Sequence, residues 1–245
     1  MKYGFIITFA SLLLLGACRQ SSAPKTEGQN STTPSETPAT RNVVRKRLNI
    51  PSDFSYITNI GSVDIIYTQG NFSLEAEGDS ATLSYLKTDI ESGLLTVNVL
   101  SDNNSFLNQY GNQSNIKLYV SSPQLNCISI CSNGSFESQA TLRSEHLQIG
   151  CMGKGNLKLG QVKCTTFELQ SSETNHIAIE DLQADDATFY SRSAANIEAH
   201  VNVKNLVVLN EGKQTMKLTG NAQIVAIQNP DDPNLTNEVN SAPTK

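Results

Sequence analysis

From about residue 116 the sequence repeats itself every 20 residues, and this period limits the possible folds more than any other feature. Leu147-Gln148-Ile149-Gly150-Cys151 aligns with Phe167-Glu168-Leu169-Gln170-Ser171 and with Ala187-Thr188-Phe189-Tyr190-Ser191. The second half of each unit recurs as Asn156-Leu157-Lys158-Leu159, His176-Ile177-Ala178-Ile179 and Asn196-Ile197-Glu198-Ala199. Looser copies flank these, Ile128-Ser129-Ile130 with Phe136 before them, Leu206-Val207-Val208 and Met216-Lys217-Leu218 after. Val162 with Cys164, Leu182 with Ala184, and Val201 with Val203 mark a third short face. Apolar residues alternate with period two and show no helical spacing. Units this short cannot bury an apolar face alone, so they must stack on one another. The spacing therefore predicts an all-β fold, a parallel β-solenoid with one coil per repeat. Its coils would lie about 4.8 Å apart, with inward Ile, Leu, Val and Phe forming continuous columns. A β-sandwich with strands every 8–12 residues or so is the competing architecture. It accounts for the alternation but not for the constant offset.

Residues 46–120 are strand-rich and less repetitive. Val63-Asp64-Ile65-Ile66-Tyr67, Leu94-Leu95-Thr96-Val97-Asn98-Val99 and Ile116-Lys117-Leu118-Tyr119-Val120 are separated by turn signals at Gly70-Asn71, Gly78-Asp79 and Ser92-Gly93. Residues 80–89 read as one short helix, 101–115 as an exposed loop, and the tail from Pro230 onward as poorly ordered.

The chain has 245 residues, of which 17% are charged and 6% aromatic, with no Trp. Its core must be built from aliphatic residues. A formal net charge of −5 argues against nucleic-acid binding, which calls for a basic patch. A single apolar run, at the extreme N-terminus, argues against a multi-span membrane protein. Lys2 followed by the apolar stretch Phe5–Leu15 reads as a secretory signal over residues 1–17. That stretch is shorter than the 20 or so residues a spanning helix needs. It ends in Leu15-Gly16-Ala17-Cys18, which resembles the lipobox of bacterial lipoproteins, where cleavage precedes a Cys that is then acylated. An ordinary signal peptide with an incidental Cys is the alternative. Several acyl chains, each burying CH₂ groups at about 0.8 kcal/mol, give a stable anchor.

Loss of Lys2 with the signal would take the mature charge to −6 (−5 − 1). Residues 18–45 then read as a lipid-anchored linker, rich in Ser, Thr and Pro up to residue 41, with too little apolar surface to offset its ordering entropy. Residues 46–229 form the folded domain and 230–245 the tail. Arg19 stands where Asp marks inner-membrane retention in some bacteria, so an outer-membrane lipoprotein is expected. The acidic run that often follows the Cys in surface-exported lipoproteins is missing, which leaves the periplasmic or external face open.

Several stretches together resemble the bacterial GIN-domain family, the head domains ascribed to auto-transporter adhesins. They are Val63-Asp64-Ile65 with Gln69-Gly70, Glu77-Gly78-Asp79, Ile90-Glu91-Ser92-Gly93-Leu94-Leu95-Thr96-Val97, and Ile116 through Val120 continuing to Pro123-Gln124-Leu125. The turns Ser132-Asn133-Gly134-Ser135 and Gly153-Lys154-Gly155 are close to the family's Ser-Gly pattern. The following turns have drifted, to Ser171–Asn175, Ser191–Ala195 and Asn210–Lys213. The resemblance covers about residues 46–228. It implies a parallel single-stranded right-handed β-helix, an adhesion role, and no catalytic residues.

Few residues offer chemistry. Besides Cys18 there are Cys127, Cys131, Cys151 and Cys164, whose spacing matches no zinc pattern. Cys151 and Cys164 fall on inward positions, where free Cys serves as a small hydrophobe. A Cys131–Cys151 bridge between neighbouring coils is possible in an exported chain, but the two residues point to opposite sides. Asn156, His176 and Asn196 occupy one position in successive coils. They read either as a polar ladder that contacts glycan or as a turn ladder satisfying backbone groups. Outward positions Glu137, Lys158, Ala178 and Glu198 carry mixed charge rather than the paired carboxylates of a glycosidase. Glu180-Asp181 and Asp185-Asp186 are sequence neighbours whose side chains diverge in a strand. Asp79-Ser80-Ala81 fits a three-residue O-glycosylation pattern.

No cofactor or metal is expected. The expected partners are a membrane, through the lipid anchor, and a glycan or envelope protein, but not nucleic acid. The reading is a non-enzymatic envelope lipoprotein for adhesion or assembly. The alternatives are a polysaccharide-active β-helix enzyme and a periplasmic scaffolding or stress factor.

Overall fold

The structure is a computed structural model that describes residues 43–99, 115–192, 194–213 and 215–241. The signal segment, Cys18, most of the linker and nearly all of the 101–115 loop lie outside the described residues.

Two stacks of parallel strands make the body. The first face holds β2 (Tyr56–Asn59), β6 (Leu94–Val99), β8 (Cys127–Ile130), β11 (His146–Cys151) and β13 (Thr166–Ser171). It continues through the second halves of β14 (His176–Ser191), β15 (Asn196–Asn210) and β16 (Met216–Ile227). The second face holds β3 (Val63–Gln69), β7 (Ile116–Ser122), β9 (Phe136–Ser138) and β12 (Leu157–Lys163). The first halves of β14, β15 and β16 follow, and β17 (Leu235–Ser241) closes this face. The pairings within both stacks are parallel, so the solenoid stands and the sandwich does not.

Inward side chains form the expected columns. Leu147, Phe167, Ala187 and Leu206 stack on the first face, and Leu157, Ile177, Ile197 and Met216 on the second, all buried. Val162, Leu182 and Val201 are buried along the third short face, with Leu142 of β10 (Leu142–Arg143) beneath them. The period drifts rather than staying at 20. Ile128 faces Ile149, 21 residues on, His146 faces Thr166, 20 on, and Ile197 faces Met216, 19 on. The one-residue loss falls at an irregularity between Ile179 and Leu182.

The chain does not stack its coils in sequence order. After β3 it leaves the stack, builds one end, and returns at β8. Hence β2 lies between β6 and β8, and β3 between β7 and β9. Three antiparallel pairings finish that end: β4 (Ser73–Asp79) on β7, β1 (Val43–Arg47) on β4, and β5 (Leu86–Glu91) on β6.

Three expectations change. The helix shrinks to α1 (Ser80–Leu83), capped by Asp79, whose Oδ1 accepts the Ala81 N–H at 2.9 Å; residues 86–91 become β5 instead. Past the helix, residues 86–91 alternate and pair antiparallel along β6. The tail is not loose throughout, since Leu235–Ser241 pairs along β16 as one more coil. Asp232 ties it down by accepting the Asn210 side-chain amide at 2.6 Å and the Asn234 N–H at 2.9 Å. The folded part also begins before residue 46, because β1 starts at Val43.

Candidate functional site

The Ser-Gly turns hold glycines where neighbouring coils approach most closely. A Cβ on Gly155 would lie 1.8 Å from the Gly134 carbonyl oxygen, and one on Gly134 would lie 2.2 Å from the Val63 carbonyl oxygen. These glycines let successive coils touch backbone to backbone, which is a packing role. In the next coil Asn175 replaces glycine. It is buried, and its amide donates to the carbonyls of Cys151 (3.2 Å) and Gly153 (3.1 Å) while Ser171 Oγ donates to its Oδ1 (3.1 Å). Drift of the motif thus follows a change of bonding partner, from backbone contact to side-chain bond.

Asn156, His176 and Asn196 stand above one another on the exposed surface. The His176 N–H donates to Asn156 Oδ1 at 3.3 Å, and Thr215 Oγ1 donates to Asn196 Oδ1 at 2.8 Å. These bonds join coil to coil, as in a turn ladder.

No disulfide joins the four cysteines of the described residues. Ile130, not Cys131, faces Cys151, because that step is 21 residues long. Cys151 lies in an inward column of small and polar groups with Ser171, Ser191 and Asn210. Cys164 is half-buried against the core rather than fully inside. Burial, with Cys131 adding to it, pushes the Cys151 thiol up to about 12; burial alone takes Cys127 and Cys164 to about 11. At pH 8 about a thousandth of the Cys127 and Cys164 thiols, and about a tenth of that for Cys151, is thiolate, the reactive form. Iodoacetamide at that pH should leave Cys127, Cys151 and Cys164 unmodified in the folded chain and label them all in denaturant. Mass spectrometry of the native sample checks this, and fast labelling of Cys151 would show the core to be open.

An outward ladder that the sequence reading missed spans six coils. Thr141 Oγ1 donates to Gln161 Oε1 (2.9 Å), and Gln161 Nε2 to Asp181 Oδ2 (2.9 Å). Asn202 Nδ2 donates to Asp181 Oδ1 (3.3 Å), Asn221 Nδ2 to Asn202 Oδ1 (3.0 Å), and Asn240 Nδ2 to Asn221 Oδ1 (3.5 Å). Gln183 Nε2 adds a bond to Asp181 at 2.8 Å. Residue type varies along the ladder, and the register shift moves its members across the neighbouring apolar position. Gln161 and Asp181 precede Val162 and Leu182, whereas Asn202 follows Val201. A polar residue beside each third-face aliphatic was the available signal.

The Gln161 amide, opposed by partial burial and aided by Asn202, Gln183 and the nearby His200, holds the Asp181 carboxyl below the usual aspartate range. A lowered folded value means that stability from Asp181 is complete above the unfolded value of about 3.9. It is lost as pH falls through the folded value. The stability gap between the native chain and Asp181→Ala should therefore narrow as the pH falls below about 4. Urea titrations at four pH values measure it; a gap that persists at the lowest pH would show that the carboxylate charge contributes nothing.

Beside the ladder lies an open groove of about 590 Å³, lined by Ala184, Val203, Ala222, Asn202, Asn221 and Lys204 among others. A smaller one of about 310 Å³ lies on the second face, among Glu180, Glu198, His200 and Lys217. Lys158 Nζ is 3.9 Å from Glu137 and 3.8 Å from Glu180, so the outward face carries mixed charge as its sequence indicates. Among the described residues no three His, Cys, Asp or Glu gather in a metal-holding cluster, and no helix is long and apolar enough to cross a membrane. Ser80 is exposed at the start of α1, beside the capping Asp79.

Together these features define a parallel β-solenoid with polar ladders on its flanks and shallow grooves between them. The chain belongs to the family described as putative auto-transporter adhesin, head GIN domain, whose model matches residues 53–178. Among solved structures it is similar to a putative adhesin from Bacteroides fragilis at 17% identity, covering 77% of this chain and 93% of that one, with a TM-score of 0.57. A putative adhesin from Parabacteroides merdae matches at 16% identity, with 83% and 96% coverage and a TM-score of 0.51. A putative lipid binding protein from Parabacteroides distasonis matches at 17%, with 83% and 98% coverage and a TM-score of 0.50. At these identities the likeness is one of fold. No curated protein matches the chain.

Proposed function

We propose that this chain is a lipid-anchored protein of the bacterial envelope that binds a surface through the flank of its solenoid and catalyses no reaction. One observation carries the binding role: the ladder from Thr141 to Asn240 beside the open groove. Asn202 and Asn221 each spend one N–H and one lone pair on their ladder neighbours. A second N–H and lone pair remain for a ligand. Repeated about every 4.8 Å, such groups suit a polymer with hydroxyls along its length, a glycan above all. No catalytic role is assigned to Asp181, whose carboxylate is taken up in the ladder by the Gln161, Gln183 and Asn202 amides. The relatives' descriptions as adhesins or lipid binders, not enzymes, favour the same reading.

Cys18 carries the anchoring part of the proposal, and the outer membrane is its expected site. Metabolic labelling with an alkyne palmitate should mark the native chain and not Cys18→Ala, which should leave the membrane fraction. Glycan-array binding tests the flank. Asn202→Ala with Asn221→Ala should remove the signal while the circular dichroism spectrum stays unchanged; binding that survives would place the ligand elsewhere. Protease added to intact cells separates a surface adhesin, which is cut, from a periplasmic scaffold, which is protected. A second reading, glycan cleavage, is favoured only by the groove holding Glu180, Glu198 and His200. Polysaccharide turnover abolished by Glu198→Gln would establish it instead.

A further inference from the structure

The second-face sheet has two free edges among the described residues. It runs from β1, paired only to β4, through β7, β3, β9, β12 and the long strands to β17, paired only to β16. A parallel solenoid normally needs something over each end, because an open edge is a row of unpaired N–H and C=O groups. Here the two edges match one another in three respects.

The first is direction. β4 is antiparallel to β7, and β1 is antiparallel to β4, so β1 points the same way as β7 and β17. Two reversals cancel, and a β1 strand laid beside β17 would continue the parallel ladder without a break. The second is charge. β1 is Val43-Val44-Arg45-Lys46-Arg47, three positive charges in five residues, whereas β17 carries one charge, Glu238, whose own partner Lys217 is 4.0 Å away, with exposed Asp231 shortly before the strand and no cation in residues 230–241. Arg45 is engaged by Glu75 at 2.8 Å, while no ion pair of Lys46 or Arg47 occurs among the described residues. The third is the side-chain pattern. Leu235 and Val239 lie half-buried on the inner side of β17, and Val44 lies half-buried on the inner side of β1, opposite Gly78.

We propose that copies of this chain stack end to end, with β1 of one copy pairing in parallel along β17 of the next. Val44 falls beside Leu235, Lys46 beside Asn237 and Arg47 beside Glu238. Like charge disfavours β1 against β1, with three cations on each side, and opposite charge favours β1 against β17. Such a contact is heterologous and does not close, so it yields rows rather than dimers. It goes beyond the binding role proposed above and does not depend on it.

Cells expressing the full-length chain with Lys46→Cys and Asn237→Cys together, oxidised with copper phenanthroline, should give a disulfide series at dimer, trimer and higher multiples. The chain with its own cysteines only, oxidised in the same way, sets the background. Arg47→Glu in that chain should weaken the series about tenfold, the effect of one like-charge contact at an interface, and Glu238→Lys added to it should restore the series. Dimers from Asn237→Cys alone, no series from the double variant at normal surface level, or a series indifferent to Arg47→Glu would each overturn the proposal.

Discussion

Phe167→Ala should lower the stability of the folded chain by about 3–5 kcal/mol, the range for emptying a buried aromatic site. Phe167 is 1% exposed, its ring centroid is 5.5 Å from that of Phe189, and it sits in register between Leu147 and Ala187. The neighbours above and below are held by backbone pairing at fixed spacing, so the column cannot collapse sideways to fill the void. That rigidity places the loss toward the upper end of the range. Thr188, the next residue after Ala187, is half-buried and turned the other way; Thr188→Ala should cost less than about 0.5 kcal/mol. Urea denaturation followed at 218 nm or so measures both. A Phe167→Ala loss under 1 kcal/mol would mean that the coils do not share a continuous interior.

Gly155→Ala should be nearly as costly although it adds only a methyl group. The new Cβ would lie 1.8 Å from the Gly134 carbonyl oxygen and 2.8 Å from Ile130 Cγ2. The first neighbour is backbone and belongs to a paired coil, so no rotamer change relieves the clash. The coils must part locally, at a cost of about 3 kcal/mol or more. Gly150→Ala is the matched control, since its Cβ would meet only Ser129 Oγ at 3.9 Å. It should change stability by less than about 0.5 kcal/mol. Soluble yield and denaturation midpoint should separate the two variants clearly, and equal behaviour would remove the close backbone approach as the reason for glycine in these turns.

The repeat was legible because its strands obey a local rule. Ile149, Leu169 and Phe189 face inward for the same reason, alternation on a half-buried strand, and each unit shows that pattern without reference to the others. The bonds that unite the units were not legible. Asn175 and Gly155 do equivalent work in adjacent coils by different means, one donating its amide to two carbonyls and the other admitting the backbone itself. Cys131 was set against Cys151 by counting 20, while the real step of 21 places Ile130 there.

Sequence by itself determined the class of fold and the inward columns, because hydrophobic periodicity acts residue by residue. Tertiary structure alone decided that β2 and β3 lie inside the stack, that Leu235–Ser241 adds a coil, and that six polar residues of different types form one ladder. Each of those depends on which strand edge is free when another segment arrives and on register shifts of a single residue. Free energy at that level comes from contacts between distant segments, and their spacing along the chain carries no mark of the partner.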